Sequence, residues 1–307
     1  MTEKKGKFAV LLKIGEKQPA LDRASQYARF APSIEVVAIR VINDFDDDNQ
    51  EQLLASAKSE FEMLAKTCPN IQHLSLKVIF DKDIPGAFNA ECASGEYDLA
   101  IISANKRNSI KDLFINTIDC SIMRCCPVPL LVVKDANSTA SLGTAILLAI
   151  DFEEANHIEE LDEYLFKSAK GFADHFNGVV HVANCVSPLN RGLMSGNTSV
   201  SKIITASGSI GRRDIHQVIV DEFAQNHGIP LENVHVLEGR IDEEIPRLCD
   251  KLQARMVCMG TTPKSSFFGS IDSSASELVL EQIKGDVYIV NSESLSEDSE
   301  NLSENLD

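Results

Sequence analysis

The sequence predicts an α/β protein made of two similar halves, each a parallel sheet with helices on both faces. Apolar runs of strand length alternate with segments that carry apolar residues at helical spacing. This alternation restarts after a short polar segment. Residues 99–103 also match 256–260, and residues 120–133 match 277–290. The chain therefore contains an internal repeat of one whole domain rather than of a short solenoid unit.

The first half alternates five predicted strands with four predicted helices. Most of its strands are continuous apolar runs, which is typical of parallel strands buried on both faces. The predicted strands are residues 8–12, 34–42, 74–80, 99–102 and 130–133, and the predicted helices are 20–29, 53–64, 84–92 and 116–125.

The second half repeats this order. Its longest predicted helix, residues 158–176, has apolar residues at spacings of three and four on one face. The predicted strands are residues 145–150, 179–186, 234–237, 256–259 and 287–290, and the predicted helices are 158–176, 214–226, 243–252 and 275–283.

These patterns predict three segments: a first domain at 1–138, a second at 139–291 and a tail at 292–307. Small polar residues at 136–144 indicate the linker between the domains. The tail contains six acidic residues and no basic one, which is typical of a disordered terminus. Residues 190–213 are rich in Gly and Ser, and we expect a mobile flap there.

Charge and hydropathy exclude several classes of partner. The net charge is −17 and the pI about 4.8, which argues against nucleic acid or an anionic membrane as the main partner. No apolar run reaches the roughly 18 residues that a membrane span needs. The N-terminus has no signal-peptide core, so we expect a cytoplasmic protein.

Eight cysteines and seven histidines show no metal-ligand spacing, and we predict no metal site of the protein's own. In a cytoplasmic protein the cysteines are expected to be reduced. The adjacent pair Cys125 and Cys126 is either redox-active, a ligand pair for a soft metal, or two ordinary thiols at a helix end.

A candidate anion site follows the apolar run 256–259. Gly260 ends that run, a loop rich in Ser and Thr follows, and a predicted helix begins at residue 275. Backbone N–H groups in such a loop and at a helix N-terminus favour a phosphate.

This segment resembles the last third of a universal stress protein domain. In that family the loop runs glycine, two residues, glycine, nine residues, glycine and Ser/Thr, and it wraps around ATP. Gly260 matches the first glycine. Pro263 and Ser273 stand at the second and third, and Ser274 stands at the Ser/Thr position.

The resemblance spans residues 7–291 and implies two Rossmann-like domains with the strand order 3-2-1-4-5. In that order the direction in which strands are added to the sheet reverses between strands 1 and 4. Ligands of open α/β sheets bind at this point. It also implies that the two domains pair as a pseudo-dimer within the chain. A homodimer and unidentified protein partners would be compatible with this arrangement.

The resemblance implies an adenine nucleotide in the second domain, with Mg²⁺ accompanying ATP. Ala149 and Asp151 match the end of strand 1, where Asp151 either accepts from the ribose or adenine or is a loop aspartate. Val182 either packs against adenine or is core. Met259 matches the end of strand 4, and Lys264 either meets a phosphate or is a solvated loop lysine.

The first domain lacks these features, and we expect no nucleotide there. Its first strand ends without an aspartate, and its two later glycine positions are occupied by Lys106 and Asn116. Four basic residues near that end of the sheet either hold an anion or form a solvated rim: Lys13, Lys106, Arg107 and Lys111.

The resemblance implies a role in surviving stress and DNA-damaging conditions. Two functions remain open, a nucleotide sensor and a module that binds a protein or a small ligand without nucleotide. We find no catalytic constellation in the sequence and do not expect a classical enzyme, although a weak ATPase is a third alternative.

Overall fold

The computed structural model describes residues 6–15, 17–104, 118–134, 142–152, 159–186, 211–261 and 275–292. They form two compact units. The described residues of the first unit end at Lys134, and those of the second begin at Leu142. The predicted boundary at 138/139 and the acidic tail lie outside the described residues.

The described residues of the first unit contain five strands and four helices. Its elements are β1 (Lys7–Leu11), α1 (Pro19–Ala28), β2 (Glu35–Ile42), α2 (Gln50–Thr67), β3 (His73–Phe80), α3 (Ile84–Ser94), β4 (Leu99–Ser103), α4 (Ile118–Cys125) and β5 (Leu130–Val133). The strands pair in the order β3-β2-β1-β4-β5, and every pair is parallel.

Strand β4, which has a neighbour on each side, shows why helices must cover both faces of this sheet. All five of its residues are buried. Successive side chains of a strand point to opposite faces, so burial of every residue requires cover on both sides. The apolar run that predicted this strand therefore reflects its position in the middle of the sheet.

The second unit repeats the arrangement. Its elements are β6 (Ala145–Ala149), α5 (Glu159–Phe176), β7 (Val179–Val186), α6 (Arg212–Asn226), a 3₁₀ turn (Leu231–Asn233), β8 (Val234–Glu238), α7 (Ile241–Leu252), β9 (Met256–Thr261), α8 (Ala275–Gln282) and β10 (Asp286–Asn291). The order is β8-β7-β6-β9-β10, again parallel throughout.

Both sheets have the order 3-2-1-4-5 within their unit, which confirms the predicted fold. Two local expectations were wrong. Strand β9 does not end before Gly260, because Gly260 and Thr261 continue the pairing with Val290 and Asn291 of β10. Helix α6 begins at Arg212, inside the predicted flap, and residues 190–210 of that flap lie outside the described residues.

Among the described residues, no helix is both long enough and apolar enough to cross a membrane.

Candidate functional site

The candidate site of the second unit lies where β6 and β9 end side by side. Ala149 of β6 is level with Met259 of β9, and both residues are buried. After β6 the chain adds its next strands on one side of this pair, and after β9 it adds a strand on the other side. A crevice therefore opens beyond the carboxyl ends of β6 and β9. The backbone thus brings together two predicted site segments that are more than a hundred residues apart in sequence.

Asp151 is exposed just beyond the end of β6. The preceding residue is held to the neighbouring strand, because the Ile150 amide donates to the Ala183 carbonyl at 3.0 Å. Phe152 turns back into the core and meets Phe223 edge to face. The Asp151 carboxylate is therefore presented to solvent by a segment whose two neighbours are anchored.

A buried polar network supports this strand end, and the sequence reading missed it. The Asn184 side chain donates to the Ile150 carbonyl at 2.9 Å. Its Oδ1 lies 2.7 Å from Nδ1 of His216 on α6. Both side chains are fully buried. The available signal was a single asparagine within the otherwise apolar end of β7.

Val182 is fully buried, level with Leu148 of β6 and Val234 of β8. Its side chain belongs to the core of the sheet in this conformation. Its proposed contact with adenine stays a prediction.

Gly260 lies where helix α5 packs closely on strand β9. A Cβ atom at this position would lie 2.7 Å from Cδ2 of Leu161 and 3.6 Å from Cδ1 of Leu165. The absence of a side chain allows α5 to pack closely on β9. Gly260 therefore has a structural reason to be glycine whether or not a phosphate approaches it.

The remaining predicted residues of the cradle are Pro263, Lys264, Ser273 and Ser274, and they lie outside the described residues. Among the described residues, only Asp151 offers a group suited to the adenosine end of a nucleotide, and that contact stays a prediction. Exposed Asp151 is a hydrogen-bond acceptor suited to ribose hydroxyls or an amino group. The phosphate end stays a prediction.

The first unit has an equivalent crevice with the opposite charge. Phe8 pairs with Leu99 as Ile146 pairs with Met256, and residue 99 matches residue 256 in the repeat. Five residues further along, Lys13 therefore occupies the position that Asp151 occupies in the second unit.

Internal hydrogen bonds occupy the polar groups at this strand end. Lys13 Nζ donates to the Ala104 carbonyl just after β4, at 2.7 Å. The Lys13 amide and carbonyl bond the side chain of Gln18, at 3.0 and 2.9 Å, and Arg40 also donates to that carbonyl. Lys106, Arg107, Lys111 and Asn116 lie outside the described residues.

A cavity of about 250 Å³ opens at the same place in the first unit. It lies at the carboxyl ends of β1 and β4, between the starts of α3 and α4. Its lining is mostly aliphatic and consists of Leu11, Leu12, Lys13, Ile14, Val41, Ile84, Ile102, Ser103, Ile118, Asp119 and Ile122.

All eight cysteines are free thiols. Cys125 is exposed and Cys126 is buried at the end of α4. Among the described residues, no three metal-binding side chains cluster together. The thiol of Cys126 faces Cys92 of α3, and this contact and burial raise the pKa of Cys92 well above its usual range.

The fold and its crevices define a chain with two Rossmann-like units. Residues 144–291, which include most of the second unit, match the model of the universal stress protein family. The second unit thus matches the universal stress protein family, and the chain as a whole is similar to members of that family.

Curated relatives carry the name universal stress protein E. The homolog from Haemophilus influenzae is 22% identical over 296 residues, which cover 90% of this chain and 94% of the relative. Universal stress protein E from Escherichia coli K12 is 24% identical over 71% of this chain and 68% of its own.

Solved structures of the family share the fold. A putative universal stress protein from Pseudomonas aeruginosa superposes with a TM-score of 0.67 at 21% identity, and the match covers 98% of both chains. A universal stress protein from Archaeoglobus fulgidus gives 0.65 at 15% identity, over 93% of this chain and 96% of its own.

Proposed function

We propose that the chain acts in the stress response as a nucleotide-responsive protein, with one adenine nucleotide and its Mg²⁺ bound in the second unit. The match to the universal stress protein family supports the role in the stress response. The observation that carries the proposal is exposed Asp151 beyond the paired ends of β6 and β9. The family match to the same unit supports it.

In this proposal, Asp151 accepts a hydrogen bond from the adenosine end, and Gly260 leads into the loop that receives the phosphates. Pro263, Lys264, Ser273 and Ser274 are the residues we assign to that loop. A nucleotide bound there would act as a signal rather than as a substrate. Proteins of the family are generally not classical enzymes, although some bind ATP. ATP turnover by this chain is a separate question.

A second candidate function is an interaction module that needs no nucleotide. Two observations favour it. A side chain at Gly260 would displace the end of Leu161, and Val182 is fully buried. Under this alternative, residue 260 is glycine because of packing within the fold and not because a ligand binds there. Cytoplasmic location, dimerisation, a role in DNA damage and protein partners remain predictions under both alternatives.

Calorimetric titration with ATP and Mg²⁺ tests the proposal. We expect wild-type protein to bind at micromolar concentration with one site per chain. Replacing Asp151 by Ala should weaken binding at least about tenfold, since a hydrogen bond to a charged group contributes roughly 1.5–3 kcal/mol. The matched control is Asp174→Ala. This aspartate is also exposed, but it lies near the C-terminal end of α5, which runs away from the crevice.

Equal affinity in the wild type and Asp151→Ala would remove Asp151 from the site. An absence of heat in the wild type, with no nucleotide released on denaturation, would overturn the proposal and leave the interaction module. Phosphate release measured on the same samples would then separate binding from weak ATPase activity.

A further inference from the structure

The crevice of the first unit is shaped for an apolar molecule. Eight of the eleven residues that line its cavity are aliphatic. They come from both strand ends and from the two helices beyond them, so the apolar surface is concave rather than a flat face. Ligand sites are typically concave, mostly apolar and supplied with a few polar groups that fix orientation.

The polar lining is limited to Lys13, Ser103 and Asp119. The Ser103 hydroxyl already accepts from the Ala20 amide at 3.0 Å. Asp119 also lines the cavity, and it is only 2% exposed. Lys13 is half-buried, and its side chain crosses the mouth from the end of β1 to the carbonyl of Ala104.

This set does not suit a nucleotide. At about 250 Å³ the cavity is smaller than the roughly 300–1,000 Å³ that ligands of drug size fill. Ribose and adenine need acceptors, whereas the Lys13 carbonyl is taken by Gln18 and Arg40. The residue at the position of Asp151 is a cation, which would meet an anion and not a hydroxyl donor.

We propose that the first unit binds a small aliphatic molecule with one anionic end, such as a medium-chain carboxylate. The alkyl chain lies among the aliphatic residues between α3 and α4, and the carboxylate lies at the mouth beside Lys13 Nζ. The charge reversal from Asp151 to Lys13 accounts for the different ligand. This site is separate from the proposed nucleotide site and does not depend on it.

Decanoate, kept below its micelle-forming concentration, is the probe for a calorimetric titration of the full chain. Ile118 is 39% exposed at the rim of the cavity, so Ile118→Trp fills the opening with little cost to folding. Val218→Trp is the matched control, because Val218 is 60% exposed on α6 of the second unit. The natural chain has no tryptophan, so the fluorescence of each variant reports its own folding.

We expect one decanoate site per chain, an affinity at least about tenfold weaker in Ile118→Trp, and an unchanged affinity in Val218→Trp. Lys13→Met should weaken decanoate about tenfold and leave decanol unaffected, because only the carboxylate meets the ammonium. Decanol should therefore bind wild type and Lys13→Met equally.

The proposal is overturned if decanoate does not bind, or if Ile118→Trp binds it as wild type does. If Lys13→Met weakens decanoate and decanol equally, or weakens neither, the anionic end has been assigned wrongly. Loss of binding in Val218→Trp would also contradict the site. The nucleotide proposal is tested on Asp151→Ala, so either proposal can fail while the other stands.

Discussion

Gly260 links the packing of the second unit to its candidate site. We expect Gly260→Ala to destabilise this unit by about 1–3 kcal/mol, the usual cost of an extra methyl group in a close-packed core. The new Cβ would lie 2.7 Å from Cδ2 of Leu161, and that side chain is itself buried. Urea unfolding followed by circular dichroism measures the change.

The double variant Gly260→Ala/Leu161→Ala is the control. Leu161→Ala alone should destabilise the protein through the cavity it leaves. Because the added methyl group then has room, the two changes together should cost less than the sum of the single changes. Strict additivity would contradict the contact and would leave phosphate approach as the main reason for glycine here.

Residue chemistry explains which parts of the site could be predicted. Asp151 was assigned from the family resemblance at the end of β6, and the structure shows that it is exposed there. Its role in binding stays a prediction. Asn184 and His216 could not be paired, because their 2.7 Å contact depends on how α6 packs across β7. The packing role of Gly260 was missed for the same reason, since Leu161 lies on another element.

Strands β7 and β8 carry a pair of histidines in direct contact. His181 Nδ1 and His235 Nε2 are 3.1 Å apart, and the rings stack with centroids 5.3 Å apart. One ring donates and the other accepts, so the pair holds together while both are neutral. Burial, His181 and Lys251 lower the pKa of His235 to about 4, and burial lowers the pKa of His181.

This pair predicts a loss of stability in mild acid. An unfolded histidine titrates near pH 6.5, above the pKa of folded His235. The unfolded chain therefore takes up protons first, and stability falls as the pH drops from about 6.5 towards 4. Because both rings are partly exposed, we expect no more than about 2 kcal/mol from the pair.

Urea unfolding at pH 7.5 and pH 5 tests this for the wild type and His235→Gln. The difference in unfolding free energy between the two pH values should be smaller in the variant. His73→Gln is the control, since His73 is an exposed histidine on β3 of the first unit. An equal pH dependence in all three proteins would contradict the role of the pair.

At the scale of elements, the sequence predicted every strand and α-helix of the described residues, because most strands are continuous apolar runs and most helices have an apolar face. The 3₁₀ turn Leu231–Asn233 was not predicted. The other errors are at boundaries. Strand β9 runs on through Gly260 and Thr261 because β10 offers them backbone partners, and a pattern of side chains does not show such pairing. The strand order came from the family resemblance and not from the pattern itself.

At the scale of the whole molecule, one fold presents two different crevices. Equivalent positions hold Asp151 in one unit and Lys13 in the other. The aliphatic cavity opens beside Lys13. The domain division at 138/139 and the pseudo-dimer remain proposals. The two different crevices predict that the two units respond to different ligands, so that a single chain can report on two signals.

Differential scanning calorimetry of the full chain tests whether the two units bind different ligands. We expect two transitions, of which Gly260→Ala lowers only that of the second unit. ATP with Mg²⁺ at 100 times its Kd should stabilise the same unit by about 2.7 kcal/mol, a Tm shift of about 5–10 °C for a unit of this size. Decanoate should raise only the other transition, and Lys13→Met should abolish most of that shift. A single transition that both ligands raise would show that the units unfold as one body, and would contradict separate sites acting on separate units.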